Sequence, residues 1–270
     1  MASRKRKSGG SISSKLGITA VVLVLVLGGS FLYLNQPPEV DTQTSCPKNE
    51  SLSKRTIVLL FDTTQKMTAT QEKKIKDVVF QVVDASEIFD RIMIYEVDPA
   101  LENLLEASFN FCKPPKGALG NPVLQKFAKL NFERKLEDIF ENANYDRPTS
   151  PIIEALGSIS ASFPLNNSSK HLIIASDFIE NSEILNQFNS SWTSQTQNNK
   201  LLEDRRPILN GVKVSMLFIP RASIKHQNKE FSDWWKNYLK DSGARLVDQE
   251  FFDPETGNSY DLYPFIPITG

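Results

Sequence analysis

The sequence predicts an α/β protein: a doubly wound, mostly parallel sheet with helices on both faces, preceded by one transmembrane helix. Three observations carry this. From residue 55 onward, short apolar runs alternate with helix-period segments, as parallel strands joined by crossover helices do. Two of those runs, Thr56-Ile-Val-Leu-Leu-Phe-Asp62 and His171-Leu-Ile-Ile-Ala-Ser-Asp177, close on an aspartate. Residues 16–34 form a single uncharged apolar stretch, close to the ~20 residues a helix needs to cross a bilayer.

Taken in order, residues 1–15 are a basic tail carrying Arg4, Lys5, Arg6, Lys7 and Lys15. Positive charge stays on the cytoplasmic side, so the tail is expected inside and the rest of the chain outside the cytoplasm, which is the periplasm if the cell is Gram-negative. The 16–34 stretch outruns the apolar core of a signal peptide and no small-residue cleavage site follows it, which predicts an uncleaved anchor. Residues 35–54, polar with Pro37-Pro38, read as a spacer.

A single domain is expected over 55–250. Its first strand, 56–62, leads to a Thr68-x-x-Gln71 capping box and a helix with Ile75, Val78, Val79, Val82 and Val83 on one face. Arg91–Val97 reads as a second strand parallel to the first. Residues 98–120, broken by Pro114-Pro115 and Gly117, read as a long loop. Residues 122–142 show helical spacing, and Ser150-Pro151 opens a further helix with Pro in its first turn. After strand 171–176, the polar segment 186–204 reads as a mobile loop and 212–219 as a strand. Residues 231–241 read as a helix whose aromatics, Trp234-Trp235 included, belong to the core. The last strand is expected at 244–247, and 251–270 as a tail packing along the domain.

Charge narrows the function. Outside residues 1–34, 26 basic residues face 32 acidic ones, a net of −6. No basic face is available to neutralise phosphates, so nucleic acid is not an expected partner. Cys46 and Cys112 are the only cysteines, too few for a thiolate zinc site. They stand either as one disulfide in an oxidising compartment or as two thiols. Neither His171 nor His226 has neighbours that would make a ligand set, and Glu154, one turn beyond Ser150, reads as a solvated carboxylate favoured by the helix dipole.

Collected from the strand ends and helix starts, Asp62, Thr64, Ser150 and Asp177 are hard oxygen donors suited to magnesium or calcium. Their order resembles a von Willebrand factor A domain, of the bacterial membrane-anchored type. Asp62-Thr63-Thr64-Gln65-Lys66 stands at the place of the family's Asp-x-Ser-x-Ser, Ser150 at its middle hydroxyl, and Leu172-Ile-Ile-Ala-Ser-Asp177 at its last aspartate. The resemblance implies a metal-ion-dependent adhesion site: a magnesium held by Asp62, Thr64, Ser150 and Asp177, completed by a carboxylate of a protein partner. Lys66 and Thr149 are the expected partner-facing positions, Thr149 also being able to stand in for Ser150. Lys66 departs from the pattern, occupying the place of the second hydroxyl. Its ammonium either swings into solvent or replaces the ion and pairs with the aspartates.

The resulting expectation is a non-enzymatic binding module in a cell-envelope assembly. Two alternatives stand beside it. One is a metal-free scaffold. The other is a phosphate-ester hydrolase with Asp62 as nucleophile, although Thr64 lies where hydrolases of the haloacid dehalogenase type carry a second acid.

Overall fold

The computed structural model describes residues 38–64, 67–97, 105–114, 122–141, 148–163, 169–219, 221, 224–252 and 259–260. Its seven strands are β1 (Arg55–Phe61), β2 (Arg91–Glu96), β3 (Phe109–Cys112), β4 (Ser169–Ser176), β5 (Lys213–Phe218), β6 (Arg245–Phe252) and β7 (Ser259–Tyr260). The helices are α1 (Ala69–Ala85), α2 (Pro122–Glu141), α3 (Ile152–Ser162), α4 (Trp192–Thr196), α5 (Lys200–Asp204) and α6 (Lys229–Asp241).

The strands form one sheet in the order β3-β2-β1-β4-β5-β6-β7. β2, β1, β4, β5 and β6 run parallel, while β3 and β7 pair antiparallel at the two edges. Side chains on a strand alternate between faces, and the core splits accordingly. Val58 and Leu60 of β1 join one cluster with Ile153 and Leu156 of α3 and Trp235 of α6. Ile57, Leu59 and Phe61 join the other, with Ile75 and Val79 of α1 and Leu136 of α2. All seven residues of β1 are buried, which is why the strand reads as an unbroken apolar run. The expected α/β class, with a mostly parallel sheet covered on both faces, is what the chain forms.

Thr68 caps α1 as its sequence signature predicts, with Thr68 Oγ1 accepting from Gln71 N and Gln71 Oε1 from Thr68 N. The expected long loop over 98–120 instead contains edge strand β3. Cys112 on that strand is bonded to Cys46 (S–S 2.03 Å), and Cys112 N donates to Thr44 O at 2.8 Å. Of the two readings of the cysteines, the disulfide is the one formed, tying the end of the spacer to the sheet edge. The segment 186–204 is also more ordered than a mobile loop: Trp192 of α4 and Leu202 of α5 are buried in the core. Trp235 is fully buried, and the half-buried Trp234 packs against the same cluster.

The expected membrane span at 16–34 and the basic tail before it lie outside the described residues. Among the described residues, no helix is long and apolar enough to cross a membrane. Of the C-terminal tail, β7 pairs with the end of β6; the remainder also lies outside.

Candidate ligand-binding site at the strand tips

In this strand order the chain leaves β1 in one direction and returns through β4 in the other, so the carboxyl ends of these two neighbours flank the topological switch point where open α/β sheets bind ligands. Backbone hydrogen bonds continue past the strand ends and align the tips: Asp62 N to Ala175 O and Ile219 N to Ser176 O, both at 2.9 Å. Asp62 therefore lies just beyond β1, and Ser176 and Asp177 beside it at the end of β4.

The buried carboxylate of Asp62 is the centre of the cluster. Its Oδ1 accepts from Thr64 Oγ1 at 2.6 Å and from Thr64 N at 3.1 Å. Its Oδ2 accepts from Ser176 Oγ at 2.7 Å and from Ser150 Oγ at 3.2 Å. Three hydroxyls from three separate segments thus converge on one carboxylate. Thr63 Oγ1 lies nearby in sequence, buried with no hydrogen-bond partner.

Ser150 is free for this role because it does not cap its helix. The N-cap of α3 is Pro151, without a side-chain hydrogen bond, and Ile153 N is satisfied by Glu180 Oε2 at 2.8 Å. The loop after β4 and the segment before α3 are stitched together by paired backbone bonds between Ser150 and Asn181 at 3.0 and 3.1 Å. Thr149 is half-buried, and Ser150 rather than Thr149 reaches Asp62.

Asp177 turns away from the hydroxyl cluster. One oxygen accepts from Ile179 N at 2.8 Å, and the other pairs with Arg221 Nε. Burial pushes its carboxyl up to about 7 and the charge of Asp62 adds to this, while Arg221 pulls it down. Between them, Phe178 adopts a left-handed backbone (φ 58°), a conformation costing a bulky residue on the order of 1–3 kcal/mol. It is held there by its ring, fully buried and stacked on Phe218 at 5.6 Å, and by donation of Phe178 N to Ser176 Oγ at 2.7 Å.

The structure thus joins Asp62, Thr64 and Ser150 directly, with Asp177 beside them. Lys66 lies outside the described residues. Ser176 and Arg221 are site residues not among the expected four. Ser176 had a signal, as the hydroxyl immediately before Asp177. Arg221 had a weaker one, standing three residues beyond the end of β5.

The donor set bears on a divalent ion in two ways. Asp62, Thr64, Ser150 and Ser176 offer hard oxygens that fit a small cation. Asp177, however, is already neutralised by a guanidinium. Among the described residues no cluster of three or more acidic, histidine or cysteine side chains is placed to hold a metal, so any ion here draws on hydroxyls. Those that would hold it are Asp62, Thr64 and Ser150, with Asp177 joining only if Arg221 releases it.

A second polar group lies beneath the site. Glu180 is fully buried, its backbone N donating to Gln187 Oε1 at 3.0 Å, and Gln187 Oε1 also accepts from Trp235 Nε1 at 3.2 Å. Burial raises Glu180 well above the ordinary carboxyl range. It also raises Glu154, whose charge in turn opposes ionisation of Glu180. Glu154 is therefore not the solvated carboxylate its helix position suggests, because it faces the interior.

No family model matches the chain, and no curated protein matches it. Among solved structures, it is similar to proximal thread matrix protein 1 from the mussel byssus, at 15% identity and a TM-score of 0.37. That alignment covers 62% of this chain and 38% of the other, so the chain spans well under half of that structure's length. A likeness at this level carries no argument about family or function.

Proposed function

We propose that the chain is a membrane-anchored, extracytoplasmic binding module of von Willebrand A-like type, which engages a protein partner of the cell envelope through the strand-tip site. The observation that carries this reading is the convergence of Thr64, Ser150 and Ser176 on Asp62 at the switch point. Hydroxyls gathered on a buried carboxylate at a sheet's ligand end support a recognition site just beneath the rim, with or without magnesium.

Hydrolysis through Asp62 is the poorer reading. Both its oxygens are occupied as hydrogen-bond acceptors and the residue is buried, whereas a nucleophilic carboxylate needs an open approach and an acid or base in reach. The metal-free scaffold has one observation in its favour, the Arg221–Asp177 ion pair.

Site-specific photo-cross-linking in cells tests the proposal on the full chain. A cross-linker at Phe188, exposed at the site rim, should capture a defined partner. The same probe at Glu87, beyond the opposite end of the sheet, should not. Asp62→Ala should abolish capture at Phe188. Equal capture at both positions, or capture indifferent to Asp62, sinks the reading.

A further inference from the structure

Arg221 sits where the adhesion-type reading of the site requires a positive charge, and several contacts hold it there. Its Nε pairs with Asp177 Oδ2. Its backbone N donates to Gln227 Oε1 at 2.7 Å, and Gln227 Nε2 donates to Asp177 O at 2.8 Å, so one glutamine clamps both members of the pair. The ring of Phe188 lies 5.0 Å from the guanidinium, a cation–π contact.

Charge makes this arrangement exclusive. Asp62 and Asp177 are two neighbouring buried acids, and a guanidinium offsets part of their repulsion. A dication added on top would leave two cations against each other at low dielectric, which is unfavourable. With the guanidinium withdrawn, a dication balances both acids. The closed pair is also incompletely satisfied: Nη2 is buried with no hydrogen-bond partner, whereas the rest of the side chain reaches the surface, 22% exposed. Withdrawal therefore breaks one ion pair, frees an orphaned donor to reach water, and has a path outward past the exposed Phe188.

We infer that Arg221 is the resident cation of the strand-tip site, excluding divalent metal while it holds Asp177, so that magnesium enters only when the guanidinium is displaced. This rests on the adhesion-type reading of the site and names the residue that decides its metal dependence. A displacing group would be the carboxylate of an acidic partner segment, which competes with Asp177 for the same guanidinium.

Titration calorimetry of the full chain in nanodiscs, with magnesium and with manganese, tests this without any partner. Arg221→Gln should bind either ion about tenfold or more tightly than wild type, by removal of a competing charge. Arg221→Lys keeps the charge and should gain little. Adding Asp177→Asn to Arg221→Gln should remove most of the gain, because the gain comes from freeing that carboxylate. Gln227→Ala, which loosens the clamp and leaves the arginine in place, should show a smaller gain and serves if Arg221→Gln does not fold. Each variant is also measured with Lys66→Ser, which takes the lysine of the first motif out of the comparison. No tightening in either background with the fold intact by circular dichroism, or a gain that survives Asp177→Asn, overturns the inference. A failed partner reading would appear in the cross-linking and leave these heats unchanged.

Discussion

Ser176 Oγ donates to Asp62 Oδ2 at 2.7 Å, joining the tips of two strands separated by more than a hundred residues of chain. The same oxygen accepts from Phe178 N at 2.7 Å, so this hydroxyl both completes the carboxylate cluster and supports the left-handed turn that sets Asp177. Ser176→Ala should cost ~1–2 kcal/mol of stability by stranding one acceptor and one donor. Asp62→Ala removes the acceptor of three hydroxyls and one amide, for ~2–4 kcal/mol. Urea unfolding of both variants checks the order; equal midpoints would mean that the cluster does not bind the tips together.

The Cys46–Cys112 bridge closes a loop with a sequence separation of 66. Chain-entropy arguments assign such a loop ~4 kcal/mol. Replacing both cysteines by serine should lower stability by about that amount and raise amide exchange over Phe109–Cys112 first, because an edge strand has a partner on one side only. Wild-type protein under reducing conditions should match the double variant. Exchange that rises uniformly across the sheet would count against a local role.

His171 lies at the start of the sheet's central strand β4, with Nε2 2.8 Å from Ser215 Oγ. Burial lowers its pKa to about 4 from 6.5, with Lys213 and Arg55 contributing. Below 6.5 the unfolded chain takes up a proton that the folded one refuses. The resulting stability is present in full above 6.5 and is lost as pH falls through 6.5 toward 4, by up to ~3 kcal/mol. His171→Gln should flatten the unfolding free energy over that window; an unchanged slope would show that His171 is not its source.

How much of this was legible depends on the length scale of each signal. β1, β2, β4 and β5 are buried runs, and because β1 and β4 close on aspartates the strand tips follow from them directly. β3 was not legible: Phe109-Asn-Phe-Cys112 is four residues at an edge, fixed by pairing with β2 and by the disulfide. The helices around Trp192 and Leu202 are five residues each, less than two turns, so no periodicity can appear; burial of one side chain in each holds them, with the Asn199 cap on the second. Taken alone, a serine just before a helix-opening proline is more often a helix cap, and what frees Ser150 for Asp62 is Glu180, a carboxyl from another segment. Arg221 has only its place three residues beyond β5 as a local signal, since its role arises from the neighbouring strand tip. Glu154 misleads because a first-turn acid is ordinarily a solvated one.

The Glu154–Glu180 pair gives pH a second point of action, opposite in sign to His171. Burial raises both pKa values, Glu180 the more strongly, and the charge of each carboxylate opposes ionisation of the other. The charges facing the pair are Arg205, which favours ionisation of Glu154, and Glu183, which opposes it; burial pushes the Tyr238 hydroxyl above its usual value, with Glu180 and Glu154 adding to this and Arg206 opposing it. The folded chain thus retains a proton that the unfolded chain has released above about pH 4.5, and stability falls as pH rises until the folded pair ionises. Asp177 contributes in the same direction only up to about 7, and His171 adds no slope once pH is well above 6.5, so any decline that continues above pH 7 belongs to the glutamates. Glu180→Gln keeps an acceptor for Ile153 N and removes the ionisable group. It should reduce the fall in stability with rising pH, together with a protonated-carboxyl carbonyl band in the infrared spectrum. Since Glu180 Oε2 holds the first turn of α3 against the site loop, wild type should also show amide exchange at Ile153 that quickens as pH rises, after correction for intrinsic rates, and Glu180→Gln should not. A slope and a carbonyl band that both persist in Glu180→Gln would assign the proton to some other group.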